Sequence, residues 1–402
     1  MIYLNQAATS HPKPETVYQA VDRCLRGECG TNSRSNAHDA ADYMVYQTRE
    51  KLAKLFNIPY ADRIVFTLNA TEAINLALFG LLNPGDHVIT TSMEHNAVTR
   101  ALFYLQTHLA VSVTKIPGYA DGNFDPQEIK KAIQPKTKLI VMTHASNVTG
   151  TLYPIAEVGE LAQDKVIYFM VDAAQTAGNV GLDVQKAGID ILAFPGHKGL
   201  FGPPGIGGIY VAKGISLRPL KYGGTGSHSD LASMPEMMPD KFESGTPNLP
   251  GIAGLHAGAE FILQTGLTRI QQHELELTEY FLEEAANINQ FLLYGSKETK
   301  HRVATVSFNI LGCDPMEVGH ALQEIYGIVC RAGLHCSPDA HKTIGTFPAG
   351  TVRVSFGYFN TKQEIELLLS GLQQIAKLGK PNGNNGLTRK IENNGSMVFI
   401  NK

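Results

Sequence analysis

Between residues 63 and 195, short apolar runs rich in β-branched residues alternate with amphipathic stretches. The runs RIVFT (63–67), HVITT (87–91), VSVTKI (111–116), KLIVMTH (138–144), VIYFMV (166–171) and ILAF (191–194) read as strands. The stretches near 71–82, 96–107, 126–133 and 155–163 read as helices. Strands alternating with helices predict βαβ units and a mainly parallel sheet. Several runs are apolar at every position, as expected of strands covered on both faces. IGGIYVA (206–212) adds a strand after a Gly/Pro-rich loop.

The texture changes after about residue 250. A long helical region, roughly 252–292, precedes VATVSFNI (303–310), a helix from about 315, IVCR (328–331), TVRVSF (351–356) and a helix from 361 to about 378. This order predicts a smaller α+β domain. The tail from Gly379 is rich in Gly and Asn and reads as disordered, the short MVFI near its end included. The expected organisation is an N-terminal segment 1–15 packing with the small domain, a large domain 16–250, a small domain 251–378 and the tail 379–402.

Composition narrows the function. The 402 residues are 43% hydrophobic and 18% charged, as in a globular protein. A net charge of −3 gives no basic surface for nucleic acid or anionic membrane. No apolar run approaches the roughly 20 residues of a membrane span, and MIYLNQAATSHPKP lacks the marks of a signal peptide. A cytoplasmic enzyme is the expectation. The five cysteines, Cys24, Cys29, Cys313, Cys330 and Cys336, are an odd number without an export signal, which argues against a disulfide framework. No metal site is predicted, and most of the five read as small buried hydrophobes.

In open α/β sheets, ligands bind beyond the carboxyl ends of the strands. Asp172 follows VIYFMV directly, with Gln175 three residues on; Asn147 follows KLIVMTH, His95 follows HVITT, and Lys198 lies past ILAF in FPGHKGLFGPPGIGG. Thr71, in NATE, stands where a strand gives way to a helix whose first amides suit a phosphate. Singly, each has a plainer reading: Asp172 as a helix cap, Thr71 as part of a capping arrangement, His95 as a strand-end polar group, Lys198 as a surface lysine. Together they set an anion site, a carboxylate and an amine at successive strand ends. Those are the parts that pyridoxal 5′-phosphate (PLP) requires: a Schiff-base lysine and an acidic partner for the pyridinium. A catalytic amine needs a pKa of about 7–8, against about 10.4 for free lysine, a difference that burial and Schiff-base formation can supply.

The series NQAATS, NATEAINLAL, SMEHNAV, THASNVTG, VDAAQTAG, FPGHKGLFGPPGIG, FESGTPN, RAGLHCSP and TVRVSFGYFNT resembles the class V aminotransferase-like branch of fold-type I PLP enzymes, and within it the cysteine desulfurase and selenocysteine lyase group. The resemblance runs from YLNQAATS to the helix ending near residue 378. It implies an α/β fold with a mainly parallel seven-stranded sheet, helices on both faces and a smaller C-terminal α+β domain. By the same resemblance, Lys198 would carry the cofactor and shuttle the Cα proton, Asp172 would pair with the pyridinium nitrogen, Gln175 would bond the ring hydroxyl side and His95 would stack on the ring. Thr71 and His197 would bind the phosphate, and Thr246 would reach the phosphate of a neighbouring subunit, implying a homodimer. Asn147 and Arg353 would hold the substrate carboxylate. Cys336, in the short RAGLHCSP loop, would accept sulfur from L-cysteine, leaving L-alanine, and a sulfur-acceptor protein is a candidate partner.

The chain departs from the family pattern at Asn5-Gln6, where Asp-Asn is common, and at Pro195 and Ala70, where hydroxyl residues are common. It departs again at SPDAH after Cys336. Arg331, His335 and His341 lie close enough in sequence to raise the thiolate fraction of Cys336. Cys330 alternates with apolar neighbours and reads as core. Competing readings are selenocysteine or cysteine sulfinate lysis, C–S β-elimination, transamination, and a non-enzymatic scaffold. Among the enzyme readings, only desulfuration strictly needs Cys336.

Overall fold

The computed structural model describes residues 1–28, 40–378, 387–391 and 397–401. The chain opens with β1 (Ile2–Tyr3), α1 (Glu15–Leu25) and α2 (Ala40–Phe56). An alternating series follows: β2 (Ile64–Thr67), α3 (Ala70–Leu81), β3 (His87–Thr91), α4 (Asn96–His108), β4 (Ser112–Ile116), α5 (Pro126–Ala132), β5 (Thr137–Thr143), α6 (Ile155–Asp164), β6 (Tyr168–Asp172), β7 (Ile191–Pro195) and β8 (Gly207–Val211). Then come α7 (Leu249–Thr265), α8 (Leu267–Ala285), β9 (Phe291–Tyr294), β10 (Thr305–Ile310), α9 (Pro315–Tyr326), β11 (Ile328–Val329), β12 (Arg331–Gly333), α10 (Pro338–Thr343), β13 (Thr351–Ser355) and α11 (Lys362–Leu378). Two strands, β14 (Leu387–Ile391) and β15 (Met397–Asn401), end it.

The large sheet runs β2-β8-β7-β6-β5-β3-β4. Only β8 is antiparallel to its neighbours. Its continuous apolar strands divide their side chains between two cores, because successive residues of a strand point to opposite faces. Val88, Leu139 and Val141 pack with Ile74 and Leu78 of α3 and Val98 and Leu102 of α4. Ile89, Ile140 and Met142 pack with Phe56 of α2, Val158 of α6 and Ile262 of α7 on the other face. From β3 the chain moves outward to β4, then crosses back to place β5 on the opposite side of β3. This reversal makes the β3–β5 boundary the topological switch point, where open α/β sheets bind their ligands.

The C-terminal half is a second layer. The antiparallel sheet β12-β13-β10-β9 packs Val306, Phe308, Val352 and Val354 against Phe281 of α8, Leu322 of α9 and Leu369 of α11. Local signals set the helix ends: Asp314 caps α9 at the Met316 amide (2.8 Å), Pro315 starts it, and Gly327 at φ 64° ends it. At the N-terminus, β1 pairs in parallel with β11, and Asn5 bridges to Ser355.

Three expectations need correction. The helical region of 252–292 is two helices broken at Gly266, whose φ of 90° suits glycine, and its last residues turn into β9, which pairs with β10. IVCR is not one strand: Ile328–Val329 joins β1, while Arg331–Gly333 joins β13. In the tail, MVFI lies within β15, which pairs antiparallel with β14 because LTRKI supplies a second extended run; the rest of the tail lies outside the described residues. Cys29 also lies outside them. Cys24 is buried, and Cys313 and Cys330 pack against the C-terminal core. Among the described residues, no helix is long and apolar enough to cross a membrane.

Candidate active site

A cavity of about 240 Å³ opens at the carboxyl ends of the central strands. Its lining includes Thr71, His95, Asn147, Asp172, Gln175, His197, Lys198 and Arg353, which is every candidate from the sequence except Cys336 and Thr246. They arrive by different routes: Thr71 from the first turn of α3, His95 from the N-cap of α4, Asp172 from the last residue of β6, and Arg353 from the middle of β13. The site is therefore assembled from both halves of the chain, with Ala7 and Ala8 of the N-terminal segment completing its wall.

Burial and charge set the protonation states. Asp172 is 2% exposed and accepts from the Ala174 amide at 2.9 Å; burial raises its pKa, against the opposing pull of that amide and of Lys198. Burial and the charge of Arg353 push the Lys198 amine down to about 8, although Asp172 acts the other way. Near neutral pH an appreciable fraction of this amine is a free nucleophile. His95 accepts the Ala97 amide on Nδ1 at 3.0 Å, which leaves the proton on Nε2. Burial, then Lys198, Arg331 and Arg353, press its pKa down to about 4, so the ring is neutral. His197 is likewise held near 4 by burial and Lys198, and its Nδ1 is buried without a partner among the described residues.

Arg353 is 1% exposed. It donates to the Asn147 carbonyl (2.8 Å) and to Asn5 Oδ1 (3.3 Å), while its Nε is buried without a partner among the described residues. Arg331 stands opposite it in the β12–β13 register. Burial and this second guanidinium push Arg353 down to about 9. Two guanidiniums and an amine around one buried carboxylate make a site that favours anions.

Cys336 sits at the edge of this cluster, where Arg331 Nη2 donates to its Sγ at 3.2 Å. Its carbonyl accepts from the Asn96 amide at 2.8 Å. Asn147 lines the cavity, but its side chain is largely committed elsewhere: Nδ2 donates to the His335 carbonyl (2.7 Å) and Oδ1 accepts from Ser337 Oγ (2.8 Å). One amide N–H remains for a ligand. Thr246 is not brought to this cavity. It is exposed in the loop before α7 and lines a separate hollow of about 650 Å³ with Glu72, Lys221 and Glu243.

The sequence marks Arg331, which itself lines the cavity, only as a neighbour of the thiol, and it gives no sign of Glu94, whose charge bears on Asp172. Strand alternation could have flagged Arg331, since it shares a face with Arg353 once the two strands are paired. Glu94 carries no such signal. It is fully buried, accepts from Thr91 Oγ1 at 2.6 Å, and is raised to about 8 by burial.

Comparison with known proteins agrees with this architecture. A probable cysteine desulfurase of Methanothermobacter thermautotrophicus is 36% identical over 94% of this chain and 95% of its own length. A cysteine desulfurase of Haloferax volcanii is 31% identical over 94% and 90%. Among solved structures, the apo cysteine desulfurase of Thermococcus onnurineus superposes with a TM-score of 0.86 at 32% identity, covering 94% of both chains. The cysteine desulfurase CsdA of Escherichia coli gives 0.85 at 29%, covering 94% of this chain and 95% of its own. The aminotransferase class-V family matches residues 2–368, which include the whole cavity and the Cys336 turn, and the chain belongs to that family.

Proposed function

We propose that this chain is a PLP-dependent cysteine desulfurase, which moves sulfur from L-cysteine to Cys336 and releases L-alanine. The observation that carries the reading is a thiol 3.2 Å from the Arg331 guanidinium, beside a cavity lined by Lys198, Asp172 and Arg353. The activity named for the relatives supports it.

The residues present fit the cofactor. Asp172 is buried with no ion-pair partner among the described residues, and a ring-nitrogen cation would supply one. The unpartnered Nδ1 of His197 and the first turn of α3, with Thr71, suit a phosphate. Lys198 would hold the cofactor covalently, His95 would stack on its ring and Gln175 would bond its hydroxyl side. Bound there, PLP supplies an electron sink for the charge that develops at the substrate Cα.

The chain's own groups supply the rest. Arg353 takes the substrate carboxylate through its free donors, and a bidentate charge-assisted pair fixes its orientation. The remaining N–H of Asn147 adds a second contact. The Lys198 amine takes and returns the Cα proton. Arg331 donates to the sulfur of Cys336 and holds it at the cavity edge, and the Cys336 thiolate attacks the substrate sulfur. An S–S bond forms, the Cβ–S bond breaks, and Cβ gains a proton. L-cysteine and a thiol thus become L-alanine and a persulfide, with no external oxidant or reductant.

The deciding experiment is product analysis with L-cysteine, comparing wild type with Cys336→Ala. The variant should bind PLP, remain yellow and still respond spectrally to L-cysteine. Persulfide on residue 336 should be absent and alanine formation should fall by orders of magnitude, as when a nucleophile is removed. Undiminished desulfuration would make Cys336 a packing residue and put a C–S β-lyase in first place.

A further inference from the structure

The turn that presents Cys336 is held by a side chain of the cavity wall. His335 and Cys336 are consecutive non-glycine residues at φ 49° and 61°. Such conformations persist where the surrounding structure over-determines them. Part of the restraint is local: the Ser337 amide donates to the Leu334 carbonyl at 2.9 Å. The Asn96 amide holds the Cys336 carbonyl, and across the cavity Asn147 donates to the His335 carbonyl at 2.7 Å and accepts from Ser337 Oγ at 2.8 Å. The His335 carbonyl can only accept, so it fixes which end of the amide faces it. Ser337 is fully buried. Its hydroxyl gives Oδ1 a donor that, at that depth, solvent does not replace.

We propose that Ser337 is a positioning residue for the sulfur-accepting thiol. Its hydroxyl ties Ser337 to the Asn147 oxygen and so pins the Cys336 turn at a second point, while the His335 carbonyl alone keeps the Asn147 N–H oriented toward the cavity. This inference rests on the reading of Cys336 as the sulfur acceptor.

The test uses PLP-loaded wild type, Ser337→Ala and Ser337→Thr, with L-cysteine and with β-chloro-L-alanine, whose chloride departs without a thiol. In Ser337→Ala, kcat for desulfuration should fall about tenfold, the scale of one buried hydrogen bond, with KM little changed. Elimination from β-chloro-L-alanine should be unaffected. Hydrogen exchange of the backbone amides at 334–337 should accelerate about tenfold relative to β10, on the same scale. Ser337→Thr keeps the hydroxyl and should restore all three measures. Parallel loss on both substrates would mean a general structural role and overturn the proposal, as would unchanged desulfuration. If the wild type forms no persulfide from L-cysteine, the desulfurase reading itself fails. Exchange then decides the pinning alone: acceleration in Ser337→Ala sustains it, and unchanged exchange overturns it.

Discussion

Arg353 illustrates how a single residue can specify a ligand. Its guanidinium is almost completely buried and, among the described residues, bonds only neutral oxygens, those of Asn147 and Asn5. Arg331 opposite it makes the cation less favourable still. A buried cation without a carboxylate is costly, and a substrate carboxylate would supply what is missing. Arg353→Ala should therefore lose about 2–4 kcal/mol of transition-state binding, read as a fall in kcat/KM for L-cysteine. Unchanged efficiency would remove Arg353 from the substrate site. The alternation in TVRVSF gave Arg353 a face, but not its partners. Arg331 reaches it only through strand pairing, and the double commitment of the Asn147 amide depends on a turn 188 residues away in sequence. Contacts of that kind have no local signature.

At the scale of elements, the N-terminus of α3 couples a cap to a binding function. Asn69 Oδ1 accepts from the Glu72 amide at 2.9 Å, and Glu72 Oε2 accepts from the Leu68 amide at 2.6 Å. This reciprocal cap satisfies donors on the outer side of the turn, while Asn69, Ala70 and Thr71 line the cavity. Asn69→Ala should cost about 1 kcal/mol of stability and weaken PLP binding, because the first turn would fray where the phosphate is proposed to bind. Chemical denaturation of the cofactor-free protein and a PLP titration check the two effects separately; a stability loss with unchanged PLP affinity would detach the cap from the phosphate site. Strands and helices of this half were legible because their hydrophobic periods are clean. Legibility failed where a boundary depends on a partner. Gly266 breaks an otherwise continuous helical pattern, and IVCR divides between two sheets because β1 and β13 each claim part of it.

At the scale of the whole molecule, topology explains why so many sequence candidates meet. The reversal at β3–β5 gathers the strand ends of the large sheet, and β13 and the Cys336 turn close over them from the other half. Thr246 is the exception. The partly buried pair Arg49–Glu243, at 2.5 Å, anchors its loop to α2 beside the 650 Å³ hollow rather than beside Lys198. On α2 and in the 215–240 segment, Tyr43, Tyr46, Tyr222 and Met237 are 64%, 52%, 73% and 60% exposed. Exposed aromatic and Met side chains are of the kind enriched in association surfaces. In the homodimer that the family resemblance implies, a second copy covering these side chains would carry Thr246 to the neighbouring phosphate. Sedimentation of the PLP-loaded protein should give a dimer. Thr246→Ala should leave that dimer intact yet weaken PLP binding by about tenfold, the scale of one hydrogen bond to a charged group. A monomer carrying a full complement of PLP would overturn the shared site, because no residue of the second chain could then be holding the phosphate.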